Sequence, residues 1–445
     1  MIGSEGVAAV VDPQRDVEIY LNTAAEQGLE IRHIIETHLH ADFVSGHREL
    51  AMRTGASIYL GVGSGAKFPN VPVQDGYEIR IGRCRLQFLG TPGHTMESVC
   101  VLVTDLDRSA VPFAVLTGDT LFIGDVGRPD LSPDKTPQQL ASLLYDSLHN
   151  KLLTLPDAVQ VYPAHGAGSL CGRQISSESA STIGKEKAGN YALQAMTREE
   201  FVRLTTSELP DRPGYFEQDA EINRAGAPPI AELPPLQALR PLDLYFAQQN
   251  GALILDTRPA DQFAAAHVPG SIQIGLSGQF AIWAGRLLGL EQELVLVAED
   301  PATVNETRTR LTRVGIDRAI GYLADGLAGW VRDGLPVGSV PQISVQELHR
   351  LLEEDASAIR VIDVRRPAER KAGYIAQSLA MPLDQLMSLA EGMDRESLVA
   401  VHCKSGYRSS MAASLLLRAG FKQVVNVVGG MDAWQVCNFP SVTGK

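Results

Sequence analysis

The segment Thr37–His47 reads THLHADFVSGH and sets His38, His40 and Asp42 within five residues, at the end of the apolar run IRHIIETH. Single ligand types then recur behind further apolar runs: His94 in LGTPGHT, Asp119 in VLTGDT and His165 in VYPAHG. Imidazoles and carboxylates delivered repeatedly at strand ends are what a metal ion needs, and packing alone demands none of them there. Solvated loop histidines would leave that repetition without a cause. A second chemical group lies far downstream, in VAVHCKSGYRSSMAASLLL. Cys403 falls between a strand-like and a helix-like stretch, so loop amides and a helix amino terminus are expected to face its sulfur and favour the thiolate. Arg408 adds positive charge five positions on, while Ser405 and Gly406 allow the tight turn. Cys, Gly, Arg and Ser together suit a nucleophilic loop, and a plain strand-helix joint has no use for the combination.

These groups have to be carried by several folded units, because 445 residues exceed one core and point to roughly three domains. Up to about residue 170, short β-branched runs alternate with helical stretches, an α/β pattern. Seven prolines from Pro210 to Pro241 then mark a linker, since each removes a backbone donor. Beyond it the chain repeats itself. LILDTRPADQFAAAHVPGSI aligns with RVIDVRRPAERKAGYIAQSL, pairing Asp256 with Asp363, and Trp330 pairs with Trp434. Each repeat alternates strands and helices, as a doubly wound sheet requires. The offset of 104 between the tryptophans puts Glu299 where Cys403 stands, so the first repeat has no nucleophile. The expected division is 1–209, a Pro-rich linker over 210–236, then repeats at 237–338 and 342–445.

Composition narrows the class. A net charge of −13 disfavours nucleic acid, whose affinity comes from Lys and Arg. No stretch reaches the roughly 18 apolar residues of a membrane span, and the amino terminus MIGSEGVAAVVDPQRD lacks a signal-peptide pattern, so a cytoplasmic location without membrane attachment is expected. The five cysteines are odd in number and scattered, which argues for free thiols. Cys84, Cys100 and Cys437 sit in structural contexts, whereas Cys171 follows His165 by six residues and is expected near its pocket.

The H-x-H-x-D pattern with TPGHT, TGD and PAHG resembles the metallo-β-lactamase fold, an αβ/βα sandwich. Two-zinc hydrolases of that fold place a histidine after the H-x-H-x-D aspartate. Phe43 stands there in this chain and cannot ligate a metal. The HADF variant, with the downstream repeats, is similar to the persulfide dioxygenases found in bacterial sulfide-detoxification fusions. That resemblance implies one Fe(II) per chain, held by His38, His94 and Asp119. Two imidazoles and a carboxylate make the facial triad of non-haem iron, which keeps room for oxygen and a substrate sulfur. His40, Asp42 and His165 would then orient ligands or water from behind. Arg128 matches the arginine that holds a glutathione-like carboxylate, the alternative being a turn cap beside Asp130, and Cys171 becomes a possible sulfur relay or a packed thiol.

The second repeat resembles a rhodanese. Four residues separate Cys403 from Arg408, a tighter cradle than the related phosphatases have, so Cys403 should carry a persulfide with Lys404, Ser405, Gly406 and Tyr407 around the substrate. The first repeat resembles an inactive rhodanese that braces its neighbours or binds a partner. The combined resemblance implies oxidation of a low-molecular-weight thiol persulfide by O2 to sulfite and thiol, with sulfur transfer through Cys403 making or using thiosulfate. A homo-oligomer is expected. The competing readings are a two-zinc thioester hydrolase of the glyoxalase II type with an appended sulfurtransferase, and a non-catalytic sulfur-carrier scaffold. The family also usually begins with an extra strand pair ahead of GVAAVVDP, which puts the sandwich edge in question.

Overall fold

In a computed structural model of the chain, residues 1–207, 209 and 212–443 are described, so Pro210 of the expected linker lies outside them. The described residues separate into two compact units, Met1–Leu233 with Thr312–Gly315, and Pro234–Leu311 with Ile316–Lys445.

In the first unit the β-branched runs form two sheets. One holds Ile2–Ser4, Val7–Val11, Glu30–Ile35, Ser57–Gly61 and Val71–Val73 in that order, with Ile2–Ser4 as an antiparallel edge. The other runs from Ser181–Thr182 through Gln160–Pro163, Ala114–Gly118, Val99–Asp105 and Cys84–Gly90 to Glu78–Ile81. Alternate side chains of both sheets meet in one buried layer that includes Ala9, Ile35, Tyr59, Phe88, Val101 and Val103. The opposite faces pack against helices. Val10, Ile34 and Leu60 share a cluster with Ala24 and Leu50 of helices Glu18–Glu26 and His47–Thr54. Cys100, Val115 and Val161 share another with Leu144 and Phe201 of helices Pro137–Asn150 and Arg198–Thr206. Helix, sheet, sheet, helix is the expected αβ/βα sandwich.

Within 210–236, the stretch anticipated as a linker, the prolines flank a helix, Tyr215–Ala225. Its Asn223 is fully buried and reaches back about 180 positions in sequence. The side-chain amide donates to the carbonyls of His40 (2.7 Å) and Phe43 (2.8 Å), and its carbonyl accepts from Ser45 N (2.7 Å).

The second unit contains the two repeats as five-stranded parallel sheets with the same order. In the first the order is Gln237–Leu239, Ala319–Leu323, Leu294–Val297, Leu253–Asp256, Ile272–Gln273, and in the second Gln342–Ile343, Gln423–Val427, Leu398–His402, Arg360–Asp363, Ser378–Ala380. The duplication extends to single bonds. Arg258 Nε meets Asp256 Oδ1 at 2.9 Å, as Arg365 Nε meets Asp363 Oδ1 at 2.9 Å. Trp330 donates to the Pro336 carbonyl at 2.7 Å, as Trp434 does to Pro440 at 3.0 Å. No helix among the described residues is long and apolar enough to cross a membrane.

Candidate functional site

The strand Glu30–Ile35 ends just before Thr37, and the loop after it carries His38, His40 and Asp42 into the seam of the sandwich. His94 comes from the turn between Cys84–Gly90 and Val99–Asp105, and Asp119 directly follows Ala114–Gly118. His38 Nε2 lies 3.8 Å from Asp119 Oδ2 and His94 Nε2 lies 3.3 Å from the same oxygen. Donors bonded to one ion at about 2.0–2.2 Å stand roughly 3–3.5 Å apart, a spacing that the His94 pair meets and the His38 pair exceeds by a few tenths of an ångström, so the three atoms converge on a volume the size of one metal ion.

The tautomers agree. The Arg128 carbonyl, which can only accept, sits 3.0 Å from His94 Nδ1, so that nitrogen carries the proton and Nε2 presents its lone pair. Thr37 Oγ1 donates to Asp12 Oδ2 (3.0 Å) and takes a bond from His38 Nδ1 (3.0 Å), with the same result. Nε2 of both histidines and both Asp119 oxygens are buried without a hydrogen-bond partner. Orphaned polar atoms of this kind cost about 1–3 kcal/mol each, a cost that a bound cation removes. Burial, together with the neighbouring histidines, holds His38 well below the ordinary imidazole pKa; burial lowers His94 too, and a neutral ring is the ligand form. Gly127 is required for the close approach: a Cβ there would stand 1.9 Å from Asp119 O and 2.9 Å from His94 Nδ1.

The residues expected behind the triad form a second layer. His165 Nε2 bridges Asp42 Oδ2 (3.3 Å) and Asp119 Oδ1 (3.4 Å). Burial opposes its charge, but Asp119 and Asp42 outweigh burial and push it up to about 10, while His165 in turn draws Asp42 down to about 2. His40 Nε2 faces Asp12 Oδ1 (3.1 Å) and Glu36 Oε2 (3.5 Å). Those carboxylates overcome burial and raise it to about 9. His40, Asp42 and His165 also place three donor atoms within 4.8 Å of one another. The Phe43 ring lies 4.2 Å from the His40 ring and 6.3 Å from that of His165. An opening of about 220 Å³ reaches this layer, lined in part by Asp42, Phe43 and His165.

Cys171 is brought to the metal group: its sulfur lies within 4.8 Å of ligand atoms on Asp119 and His165. It is buried, and burial with the two aspartates beside it pushes its pKa well up, keeping the thiol protonated. Arg128 is 3 % exposed and is no surface cap. Its fork closes on Asp130 (2.7 and 2.8 Å) and on the Leu170 carbonyl (3.1 Å), and its N–H donates to the Cys171 carbonyl (2.9 Å). A substrate carboxylate would have to displace Asp130. Cys100, by contrast, bonds Thr91 Oγ1 (3.3 Å) inside the core, and burial pushes it up to about 11.

The sequence reading missed Asp12, Thr37, Glu36 and Asn223. Asp12 adopts a left-handed backbone (φ 48°), a rare state for a residue with a side chain, and its carboxylate takes the Thr37 N–H at 2.7 Å. The Asp-Pro step after an apolar run was the available signal for it.

In the second unit, strand Leu398–His402 runs into Cys403, and helix Tyr407–Arg418 starts from Gly406, whose φ is 118°. Gly406 N–H donates to Cys403 Sγ at 3.1 Å. The thiol is 1 % exposed, while Lys404 and Ser405 are exposed around it. The loop rests on helix Gly430–Val436: Met431 N donates to the Cys403 carbonyl (2.9 Å) and Asp432 N to that of Lys404 (3.0 Å). A Cβ on Gly430 would come within 2.4 Å of Cys403 O, so glycine is obligatory there. Arg408 is paired bidentately with Glu369 (2.6 and 2.7 Å). At the matching place in the first repeat, Glu299 takes a bond from Gln262 (2.6 Å).

The model "Metallo-beta-lactamase superfamily" matches residues 1–165, and "Rhodanese-like domain" matches 242–333 and 344–437. "Persulfide dioxygenase ETHE1, mitochondrial" of Bos taurus is 32% identical over 203 residues, covering 44% of this chain and 70% of its own. A hydroxyacylglutathione hydrolase of Rhodopseudomonas palustris is 30% identical over 231 residues, covering 51% and 81%. A crystal structure of a metallo-beta-lactamase from Staphylococcus aureus is 33% identical, with a TM-score of 0.63, covering 71% of this chain and 91% of that one.

Proposed function

Because the chain belongs to the metallo-beta-lactamase superfamily and carries two rhodanese-like domains, we propose that it oxidises a low-molecular-weight thiol persulfide with O2 and moves sulfane sulfur through Cys403. The observation that carries this reading is the buried trio of His38, His94 and Asp119, whose converging donor atoms are buried without a hydrogen-bond partner. One Fe(II) held by these three would supply the redox chemistry with oxygen. The balanced reaction takes persulfide, O2 and water to thiol, sulfite and two protons.

The chain's own groups have distinct tasks. Thr37 and the Arg128 carbonyl fix the two imidazoles with Nε2 inward. His165, between Asp42 and Asp119, is placed to hold or pass a proton at Nε2 beside the opening. Phe43 makes that wall apolar, which suits a sulfur-bearing substrate. Arg128 would take a substrate carboxylate in exchange for Asp130, and Cys171, next to Asp119, would relay sulfur only once a neighbouring group has taken its proton. At the second site Cys403 takes the outer sulfur of a persulfide, releasing thiolate, and hands it to sulfite to give thiosulfate, or runs the exchange in reverse. A cytoplasmic setting fits free thiols throughout.

A two-zinc thioester hydrolase is the second reading, favoured by the converging donors of His40, Asp42 and His165 and by the hydrolase relative. Against it, His40 is turned to Asp12 and Glu36, and Phe43 offers no lone pair. Metal analysis of anaerobically purified protein, beside a thioester-cleavage assay, separates them. One iron per chain without thioester cleavage supports the dioxygenase. Two zinc ions with cleavage overturns it, and a protein inert in both respects is a carrier scaffold.

A further inference from the structure

Thr312–Gly315 fall within the first repeat in sequence, but they pack as part of the first compact unit. Two hydrogen bonds seat this turn. Val44 N, next to Phe43 in the metal-bearing loop, donates to the Arg313 carbonyl (2.7 Å), and the buried Arg15 donates from Nη1 to the Thr312 carbonyl (2.9 Å). The Arg313 side chain then pairs with Asp16 through Nε and Nη2, both at 2.7 Å. Held in this way, Arg313 shares with Asp42, Phe43 and His165 the wall of the opening of about 220 Å³, and it is the one lysine or arginine among the described residues that line it. Exposure rises along that wall from the His40 side chain at 0 % through His165 at 14 % to Arg313 at 32 %, which puts the guanidinium at the outer end.

We propose that Arg313 is a substrate-binding residue of the metal site: it takes a carboxylate of the thiol persulfide at the rim of the opening, so that the repeat without a nucleophile helps to select what is oxidised. The inference rests on persulfide oxidation at His38, His94 and Asp119. Three observations carry it. An opening of about 220 Å³ is smaller than the roughly 300–1,000 Å³ of sites that enclose a drug-sized ligand, so the sulfur end enters while the rest of a peptide-sized thiol lies across the rim, where Arg313 stands. Arg128, the other arginine near the metal, is 3 % exposed with its fork closed on Asp130, and takes a carboxylate only by displacing that partner; Arg313 already faces solvent. Asp16 fixes the plane of the Arg313 guanidinium, so a carboxylate that docks there immobilises a side chain already ordered. Asp16 also neutralises part of the charge, which sets a limit on the affinity and gives the test a second sign.

The test uses the full chain loaded with iron and follows oxygen uptake with two substrates, glutathione persulfide, which bears carboxylates, and the persulfide of 2-mercaptoethanol, which bears none. Arg313→Gln removes the cation and keeps the backbone carbonyl that takes the Val44 N–H. The expected result is a KM for glutathione persulfide raised about five-fold or more, with kcat and the KM for the 2-mercaptoethanol persulfide changed less than about two-fold. Asp16→Asn removes the competing carboxylate and is expected to lower the glutathione persulfide KM about two-fold or more, a direction that loss of structure would not give. Equal changes for both persulfides, or a glutathione persulfide KM unchanged in Arg313→Gln, overturn the proposal. Where Arg313→Gln fails to fold or to keep its iron, Asp16→Asn decides: a KM lowered for glutathione persulfide alone supports the proposal, and any other result overturns it. Iron-loaded wild-type protein that consumes oxygen with neither persulfide overturns the dioxygenase reading itself, and this inference with it.

Discussion

At the scale of single residues, two positions separate the two chemistries. His94→Ala removes one donor from the trio and leaves Asp119 buried beside a gap. Bound metal should fall from about one per chain to near zero by elemental analysis, while anaerobic sulfur transfer through Cys403 persists. Cys403→Ser should do the opposite, abolishing transfer and leaving metal content and oxygen consumption intact. The residues behind these predictions were legible because each ends an apolar run: VLTGDT, LGTPGHT and VAVHCK announce a strand and then deliver a reactive group. Glu36 was not, because a carboxylate that orients a histidine has no motif of its own, and Asp12 was marked only by the Asp-Pro step after its apolar run. Arg128 is a mixed case. Its place in IGDVGRPDL suggested either a substrate contact or a cap beside Asp130; the fork is indeed paired with Asp130, in a buried setting, and the role of its carbonyl in setting the His94 tautomer had no signal in the sequence.

At the scale of elements, helix Tyr215–Ala225 shows why a proline count misleads: the prolines bracket a helix whose single amide holds three backbone groups of the 40–45 loop. Asn223→Ala leaves those groups buried and unpaired. It should cost about 2–3 kcal/mol by denaturant titration and weaken metal binding measured by competition with a chelator. A comparable argument applies to the two glycines that open the last helix of each repeat. Gly430 and Gly326 both have positive φ (53° and 56°), but a Cβ on Gly326 meets nothing closer than 3.8 Å. Gly430→Ala should therefore reduce sulfur transfer by about a hundredfold through displacement of the Cys403 carbonyl, and Gly326→Ala should leave the rate unchanged. The repeat itself was readable because Asp-x-Arg and the late Trp each make the same bonds twice. The place of Arg313 on the opening beside His165 was invisible, since nothing in the sequence says that Thr312–Gly315 pack with the first unit.

At the scale of the whole molecule, acid should affect the two-repeat unit through buried neutral histidines. Burial lowers the pKa of His402, although Asp363 pulls the other way, and it lowers that of His267, whose Nδ1 is 2.9 Å from the Phe263 carbonyl. The unfolded chain binds protons near 6.5 and the fold resists them, so their contribution is complete above that value. It is lost as pH falls from about 6.5 towards the lower folded values. Denaturant midpoints of this unit should drop between pH 7.5 and 5.5, and His267→Gln should flatten the dependence.

The central claim is that the sandwich holds one redox-active ion where a persulfide and O2 meet. The most direct measurement is oxygen consumption by anaerobically purified, iron-containing protein given glutathione persulfide, with sulfite and thiosulfate quantified together. The account predicts one O2 consumed for each sulfur oxidised, unaffected in Cys403→Ser except that sulfite accumulates in place of thiosulfate, and absent in His94→Ala. Iron-replete protein that consumes no oxygen with a persulfide, or oxygen uptake undiminished in His94→Ala, would contradict it.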